Sequence, residues 1–297
     1  MNEEPGGWCK TTRGAKPPFK VTKYLSRLIE SEEGIKRQFV PRYEESEDSS
    51  GEDDPLAEEE NLATPKAVHK YLNRLLIYSC NVCFSNCRFC TRRRLLKKRE
   101  TIIPDREVDK IIDYLNEHTE INDVIISGGD PLILRNSHLR WMLTRLKSVP
   151  TVSVIRIGTR APIVKPQRVT RQLVNMLSKF SPIYMNLHVN HPAELTEEVK
   201  KACDMLVKGG VVLGSQTVLL KGVNDDKGIM LELMKKLLSY RIRPYYIYLC
   251  DHVVGTKHFW TSEDGGIEII HYLRKNIGGI GIPRFVKDTK ERKAILA

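Results

Sequence analysis

Short apolar runs alternate with amphipathic stretches from about residue 66 to the end of the chain. Six runs are rich in β-branched and aromatic residues, and each is followed by a stretch with apolar positions at helical spacing. The predicted strands cover residues 74–79, 123–129, 152–158, 183–189, 211–220 and 244–250, and the predicted helices cover 105–118, 137–147, 170–179, 196–210, 226–240 and 266–276. Apolar strands that alternate with helices indicate a parallel sheet buried on both faces. A complete barrel of this kind has eight units, so six predict an α/β fold with a partial (β/α)6 parallel barrel.

The first 65 residues follow a different pattern. Residues 22–39 have apolar positions at helical spacing and predict one helix. Residues 44–60 contain ten acidic side chains and no basic one. Because like charges repel and this segment has little apolar surface to bury, we expect a mobile linker or an exposed turn. We therefore divide the chain into an N-terminal arm with an acidic linker, 1–65, and a barrel domain, 66–297.

Composition and charge narrow the class of protein. No apolar run approaches the ~20 residues of a membrane span, and residues 1–16 have no apolar signal-peptide core, so we expect a cytoplasmic protein with no membrane partner. The net charge is +11, and removing the acidic segment, worth −10, leaves +21 on the remainder. Such a surplus attracts nucleic acid or another anionic partner, although a solvated basic surface is the commoner meaning.

Four of the seven cysteines lie between Cys80 and Cys90, which favours a metal site over disulfides in a cytosolic chain. Cys83, Cys87 and Cys90 match the requirement of a [4Fe–4S] cluster that keeps one iron open, whereas zinc on all four cysteines is the alternative. The loop follows the first predicted strand and faces a Gly-Gly-Asp turn, where the amino acid moiety of S-adenosylmethionine (SAM) needs close backbone approach, and this context favours the cluster. The remaining thiols are predicted to be core or incidental, and they are Cys9, Cys203 and Cys250.

Several longer motifs follow one another in order. They are CNVCFSNCRFCTRRR (80–94), SGGDPLIL (127–134), IRIGTRAPIVKPQRVT (155–170), NLHVNHPAELTEE (186–198), GSQTVLLKGVND (214–225) and RPYYIYLCD (243–251). This ordered set resembles the lysine 2,3-aminomutase family of radical SAM enzymes, and the similarity extends from about residue 54 over nearly the whole remaining chain. The resemblance implies an isomerase that interconverts L-lysine and β-lysine by 1,2-amino migration.

The resemblance also implies a set of site residues. The cluster ligands are Cys83, Cys87 and Cys90, and the residues that bind SAM are Ser127, Gly128, Gly129, Asp130, His188 and Gln216. Pyridoxal phosphate would be anchored by Tyr71 and Arg74. The substrate's α-carboxylate would pair with Arg92, and its distal ammonium with Asp251 and Asp288, which points to a basic amino acid. Purely structural roles are the alternatives for some of these residues. The glycine pair could simply form a tight turn, and His188, Arg74 and Asp288 could be ordinary structural or surface residues.

The C-terminal tail departs from the family pattern. Family enzymes carry pyridoxal phosphate on a lysine in a glycine-rich segment after the equivalent of Asp288, but here the matching position is Ile295. Lys290 and Lys293 are offset from it in a charged, glycine-free tail, so we expect neither to fold over the barrel mouth and covalent binding to be weak or absent. No catalytic side chain is assigned.

Two other functions stay open at this stage. One is a pyridoxal-independent radical SAM enzyme that modifies a macromolecular substrate such as tRNA or a protein-linked lysine. The other is a non-enzymatic metal- or nucleic-acid-binding module. The expected partners of the leading hypothesis are a small amino acid substrate, a reductant such as flavodoxin or ferredoxin, and a second copy of the chain in a homo-oligomer.

Overall fold

The computed structural model describes residues 17–96 and 98–297. Its centre is a ten-stranded sheet in which the spatial order of the strands follows the order along the chain. The strands are β1 (Leu62–Thr64), β2 (Ala67–Tyr71), β3 (Arg74–Cys80), β4 (Asp123–Gly128), β5 (Val154–Thr159), β6 (Ile183–His188), β7 (Val211–Leu219), β8 (Arg243–Leu249), β9 (Arg284–Asp288) and β10 (Lys293–Ile295). Neighbours from β3 to β9 are parallel, whereas β1, β2 and β10 pair antiparallel at the two edges.

In the part of the chain that the structure describes, three helices precede the sheet, and the others lie in the connections between its parallel strands. The helices are α1 (Lys23–Ser31), α2 (Glu33–Phe39), α3 (Glu44–Glu47), α4 (Arg93–Leu96), α5 (Asp105–Glu117), α6 (Asn136–Lys147), α7 (Ala161–Val164), α8 (Arg171–Leu177), α9 (Glu197–Lys208), α10 (Lys227–Ser239) and α11 (Glu263–Asn276). Several begin at a polar cap, since the side chains of Thr196, Asp226 and Ser262 accept hydrogen bonds from the first turns of α9, α10 and α11. No helix among the described residues is long and apolar enough to cross a membrane.

The six predicted strand–helix units are confirmed, and the sheet is an open, partial barrel. The sequence did not indicate the hairpin β1–β2 or the strands β9 and β10. Those four strands have three to five residues each, which is too short for a periodic signal. They form because each pairs with a strand that is already part of the sheet.

Along each parallel strand, successive side chains point alternately into the hydrophobic core and into the barrel interior. Leu75 and Ile77 of β3 and Val124 and Ile126 of β4 are fully buried in the main hydrophobic core. Their neighbours of the other parity, such as Ile125 and residues at equivalent positions of β6 to β8, line the interior. Side chains at the ends of the strands therefore reach the mouth of the barrel at fixed positions.

The predicted helix over 22–39 is two helices. Glu32 interrupts it with extended backbone angles, and its side chain accepts a hydrogen bond from the backbone N–H of Gly34 at the start of α2. Apolar residues of both helices form a small core with Val164, and Phe84 and Cys87 of the cysteine loop pack against that core. The N-terminal arm thus packs directly against the outside of the cysteine loop. Cys9 lies outside the described residues.

Most residues of the acidic segment 44–60 are exposed or partly exposed, as its composition predicts, but two of its glutamates are not. Glu45 and Glu58 are each only 5% exposed. Glu45 accepts hydrogen bonds from Arg88 Nε at 2.9 Å and Nη2 at 2.6 Å, and from Arg93 Nη2 at 2.9 Å. Burial disfavours its ionised form, but the two arginines outweigh burial and hold the pKa of Glu45 below its usual range. The arginines of the cysteine loop supply the countercharge that the segment itself lacks.

We predict that Glu45→Gln destabilises the protein by about 3–5 kcal/mol, because it leaves two buried arginines without their shared anion. Chemical denaturation of the anaerobic protein measures the change. Glu44→Gln, on the exposed face of the same helix, is the matched control and should change the free energy of unfolding by less than about 0.5 kcal/mol. Equal effects of the two substitutions would contradict a stabilising triad.

Candidate active site

Two adjoining cavities, of about 290 and 220 Å³, open at the C-terminal ends of β3 to β8. Parallel barrels place their chemistry at this end. We call the larger the aspartate cavity, after Asp251 and Asp288, and the smaller the cysteine cavity, after the three loop cysteines. Both are lined by Arg92, His188 and Gln216. Every residue that the sequence predicted for the site lines one of these two cavities.

Cys83, Cys87 and Cys90 line the cysteine cavity, but Cys80 does not. The Cys80 thiol is buried and donates to the backbone oxygens of Val82 and Asp130, at 3.3 and 3.4 Å. The zinc alternative requires all four thiols, and Cys80 lies outside the cavity that the other three line. Three thiols around one cavity with the fourth turned away fit a [4Fe–4S] cluster with an open iron.

Arg160 lies against the cysteine loop, and sequence reasoning missed it although its motif, GTRAP, was singled out. Its Nη1 donates to Cys87 Sγ at 2.9 Å, and its Nη2 donates to Gln38 Oε1 at 2.6 Å and Glu194 Oε2 at 2.7 Å. Burial lowers the pKa of Arg160, but Cys87 and Glu194 outweigh burial and raise it above its usual value. Arg160 is therefore a fixed cation positioned to stabilise negative charge on the Cys87 sulfur.

The Gly-Gly-Asp turn is shaped by its contact with the cysteine loop. Gly128 has φ +112°, and a Cβ atom there would lie 2.4 Å from the Cys80 oxygen. A Cβ atom on Gly129 would lie 2.2 Å from the Val82 oxygen. The backbone amides of Gly129 and Asp130 donate to these same two oxygens, at 2.6 and 2.8 Å. Glycine is needed at both positions because two backbones touch.

The Asp130 carboxylate holds this turn to the end of β5. It accepts hydrogen bonds from Thr159 Oγ1 at 2.6 Å, from the Arg160 amide at 2.9 Å and from the Leu132 amide at 3.0 Å. Both oxygens thus have protein donors, so the side chain fixes the turn, and its predicted contact with SAM stays a prediction. The backbone around it remains available to a ligand in the cysteine cavity.

His188 and Gln216 occupy paired positions on β6 and β7. The His188 ring stacks on Phe89 with 5.4 Å between the centroids, and its Nε2 lies 3.2 Å from Asn190 Nδ2. Burial, together with the charge of Arg160, lowers the pKa of His188 well below its usual value, so the imidazole is neutral. Gln216 Nε2 donates to the Tyr248 hydroxyl at 3.2 Å. This hydrogen bond connects a residue that lines both cavities to one that lines the aspartate cavity.

Asp251 and Asp288 face one another across the aspartate cavity. Thr91 Oγ1 donates to Asp251 at 2.9 Å. Burial and the neighbouring Asp288 raise the pKa of Asp251 to about 7. Oδ1 of Asp288 is buried and receives no hydrogen bond from any described residue. The cavity therefore holds two carboxylates whose like charges repel, an arrangement that favours a cation between them.

Lys293 enters the same cavity. Its Nζ lies 2.7 Å from the Tyr248 hydroxyl and 3.5 Å from Asp288 Oδ1, which is ion-pair distance but too long for a good hydrogen bond. The amine also lies over the rings of Tyr246 and Tyr248, at 4.5 and 4.3 Å from their centroids. Burial lowers the pKa of Lys293 although Asp288 opposes it. The Lys293 amine is therefore partly buried and loses its proton more easily than an exposed lysine does.

The expectation that the tail would not fold over the barrel mouth is wrong for Lys293. The tail turns back at Thr289 and Arg292, so that β10 pairs antiparallel with β9 and Lys293 lies opposite Asp288. Opposed residues of a hairpin share one face, which brings both side chains into the cavity. Lys290 is different, because it is exposed and pairs with Glu52 at 2.6 Å. The number of residues after Asp288 did not indicate this hairpin, so it did not show which lysine would enter the cavity.

Tyr71 and Arg74 lie opposite one another across the β2–β3 turn. The guanidinium carbon of Arg74 is 4.9 Å from the Tyr71 ring centroid, and Arg74 Nε pairs with Asp123 at 3.3 Å. Lys70, which sequence reasoning missed, also lines the aspartate cavity, and its Nζ donates to the backbone oxygens of Leu56 and Thr289. These three side chains form a basic, hydroxyl-bearing wall suited to a phosphate.

Arg92 sits where the two cavities join, held by a buried acid. Its Nε and Nη2 donate to both oxygens of Glu58 at 2.6–3.0 Å, and its Nη1 donates to Ser127 Oγ at 3.1 Å. Burial raises the pKa of Glu58, but Arg92 outweighs it and lowers that pKa below the usual range. Glu58 thereby fixes the plane of the guanidinium, a role that the sequence did not reveal because the acidic segment was predicted to be exposed.

Comparison with known proteins shows similarity in sequence to one superfamily and to two aminomutases, and similarity in fold to one solved structure. Residues 77–234 match the Radical SAM superfamily. The chain is 42% identical to an L-lysine 2,3-aminomutase of Fusobacterium nucleatum, over 96% of this chain and 68% of that protein. It is 41% identical to a glutamate 2,3-aminomutase of Clostridioides difficile, over 90% of this chain and 64% of that protein. The chain thus spans about two thirds of the length of these relatives.

Among solved structures, a radical SAM methyltransferase from Sphaerobacter thermophilus has a similar fold. The TM-score is 0.53, with 17% identity, over 76% of this chain and 72% of that one. At this identity the likeness shows the fold alone. It agrees with the open barrel.

We predict that replacing Cys83, Cys87 or Cys90 with Ala abolishes binding of about four irons and four sulfides, because each thiol lines the cavity. Cys80→Ala is the matched control and should retain the iron, since its thiol is bonded to backbone oxygens outside the cavity. Iron and sulfide analysis of anaerobically reconstituted protein, with the visible absorption spectrum, gives the result. Iron loss in Cys80→Ala equal to that of the others would refute the three-thiol site.

We predict that Asp251 makes stability fall as the pH rises. Its folded pKa, about 7, exceeds the unfolded value near 4, so between these two pH values the native state binds more protons than the unfolded state. The free energy of unfolding therefore decreases across this window. Asp251→Asn should remove that slope and be more stable than the wild type above pH 7 by about 2–4 kcal/mol. Denaturation of cofactor-loaded, substrate-free protein at pH 5 to 8 tests this, with the exposed Asp113→Asn as control.

Proposed function

Because the chain belongs to the lysine 2,3-aminomutase family of radical SAM enzymes, we propose that it interconverts L-lysine and β-lysine with a [4Fe–4S] cluster, SAM and pyridoxal phosphate. When bound, the cluster supplies the electron that cleaves SAM, and pyridoxal phosphate supplies the electron-withdrawing ring through which an amino group migrates. The chain's own residues bind and orient these groups and the substrate. The observation that carries the proposal is Lys293, which lines the aspartate cavity with its amine between Asp288 and Tyr248.

Lys293 has the properties that covalent attachment to an aldehyde requires. A lysine amine attacks only when it is unprotonated, and burial lowers its pKa. Tyr248 stays protonated, because burial raises its pKa well above the usual value, so its hydroxyl is able to donate to the free amine. The wall formed by Lys70, Tyr71 and Arg74 lines the same cavity and would hold the phosphate.

The charges of the cavity favour a basic substrate. Attachment of Lys293 removes a positive charge beside Asp288, and the distal ammonium of lysine would restore it between Asp288 and Asp251. Arg92, with its plane fixed by Glu58, would pair with the α-carboxylate. A glutamate side chain would bring a third carboxylate to the two aspartates, which like-charge repulsion disfavours.

A pyridoxal-independent enzyme acting on a macromolecule had two motives, the absence of a suitable lysine and the surplus of positive charge. The position of Lys293 in the aspartate cavity weakens the first of them. Nothing in the two cavities favours a purely binding function. The proposed reaction further needs a one-electron reductant, for which we propose a protein such as flavodoxin or ferredoxin. The homo-oligomer stays a prediction.

We predict that Lys293→Ala abolishes formation of β-lysine from L-lysine and abolishes borohydride-stable labelling by pyridoxal phosphate, while SAM cleavage by dithionite persists. The reason is that the substitution removes the proposed attachment point but leaves the cysteine cavity intact. Anaerobic turnover assays and peptide mass mapping provide the two measurements. Lys290→Ala, an exposed lysine of the same tail, is the matched control and should behave as the wild type.

Two outcomes would count against the proposed function. Labelling that maps to Lys290 alone would exclude Lys293 as the attachment point. Turnover of glutamate in preference to lysine by the wild type would refute the substrate assignment from Asp251 and Asp288 but leave the aminomutase reaction intact.

A further inference from the structure

A third cavity, a groove of about 720 Å³, lies on the outer side of the cysteine loop. Its walls come from the segment that leads into α1, from α1 itself, from the end of α7 and from the cysteine loop. The lining residues that matter are Lys20, Lys23, Arg27, Lys165, Cys83 and Phe84. We call it the basic groove.

The basic groove carries four cationic side chains, and no acidic residue of the described chain lines it. Lys23, Arg27 and Lys165 are exposed, and none lies within ion-pair distance of a described carboxylate. Lys20 pairs only with Glu100, at 3.3 Å, and both side chains of that pair are solvent-exposed. Exposed pairs contribute little, so the groove presents a positive surface.

The basic groove and the cysteine cavity share a wall. Cys83 and Phe84 line both of them. The ammonium of Lys165 lies 5.0 Å from the centre of the Phe84 ring, which places one of the groove's charges directly on this wall. A molecule seated in the groove is therefore separated from a cluster on Cys83 by a single layer of side chains. Electron tunnelling falls steeply with distance, so this layer is a favourable crossing point.

We propose that the basic groove docks a small acidic electron-transfer protein, which delivers one electron to the cluster through the wall formed by Cys83 and Phe84. The inference rests on the proposed function, because it requires a cluster on the loop cysteines. The donor is oxidised by one electron and the cluster is reduced by one electron, and no atom or proton needs to cross the interface. Carboxylates around the donor's redox centre complement the four cations and orient that centre toward the wall.

The test uses the cluster-loaded enzyme and an acidic flavodoxin. The variant Lys23→Glu/Arg27→Glu/Lys165→Glu should bind flavodoxin at least about tenfold more weakly than the wild type, and wild-type affinity should fall as salt is raised. Carbodiimide cross-linking followed by peptide mapping should join flavodoxin carboxylates to Lys23 or Lys165. The matched control is Lys208→Glu/Arg274→Glu/Lys275→Glu, with the same charge change at exposed positions near the opposite end of the barrel.

A kinetic comparison separates docking from catalysis. The groove variant should lose flavodoxin-driven formation of 5′-deoxyadenosine but retain the dithionite-driven rate, because a small reductant does not need the groove. If dithionite yields no SAM cleavage in the wild type, the proposed function fails, whereas the binding and cross-linking results still report on docking.

Three results would overturn the proposal. The first is equal flavodoxin affinity for the wild type and the groove variant. The second is the absence of salt-dependent flavodoxin binding to the wild type. The third is binding of bulk tRNA that the groove substitutions abolish, in an enzyme that does not bind flavodoxin, since it would identify the groove as a nucleic-acid surface.

Discussion

The pairing of an acidic segment with the arginines of the cysteine loop is the interaction on which the rest of the site depends. Glu45 neutralises Arg88 and Arg93, Glu58 holds Arg92, and Arg94 lies 3.1 Å from Asp54. A loop with so many like charges would repel itself if it were left alone. The segment binds it from one side, so the cysteines and Arg92 occupy defined positions before any cofactor arrives.

The other side of the loop is held by backbone contacts that only glycine permits. Gly128 and Gly129 bring the end of β4 against Cys80 and Val82, and Asp130 ties the same turn to the end of β5. Arg160, which follows β5, then reaches Cys87. The Gly-Gly-Asp turn and Arg160 both line the cysteine cavity and are hydrogen-bonded to the loop that carries the thiols, so a ligand that contacts them also contacts residues that hold the loop.

The sequence predicted features that depend on neighbouring residues, but it did not reveal features that depend on contacts between distant parts of the chain. The six strands and their helices follow from periodicity, and the positions of His188 and Gln216 follow from alternation at the ends of parallel strands. The burial of Glu45 and Glu58 could not be predicted, since it depends on arginines that lie about 35 to 45 residues further along the chain. Lys293 was missed for the same kind of reason, because the register of a hairpin with β9, and not the count of residues, decides which lysine enters the cavity.

The balance of charge in the aspartate cavity favours one order of binding, in which the cofactor is attached before the substrate binds. Without ligands, Lys293 lies beside Asp288, and the raised pKa of Asp251 lets it carry a proton near neutral pH. Once Lys293 is attached to a carbonyl compound its cation is lost, and Asp288 becomes an uncompensated buried anion. A substrate with a distal ammonium then stabilises both carboxylates, and Asp251 releases its proton because the new cation lowers its pKa. Under the proposed function, selectivity for a basic amino acid is strongest after Lys293 is attached to the cofactor, since the free Lys293 amine otherwise competes with the substrate for Asp288.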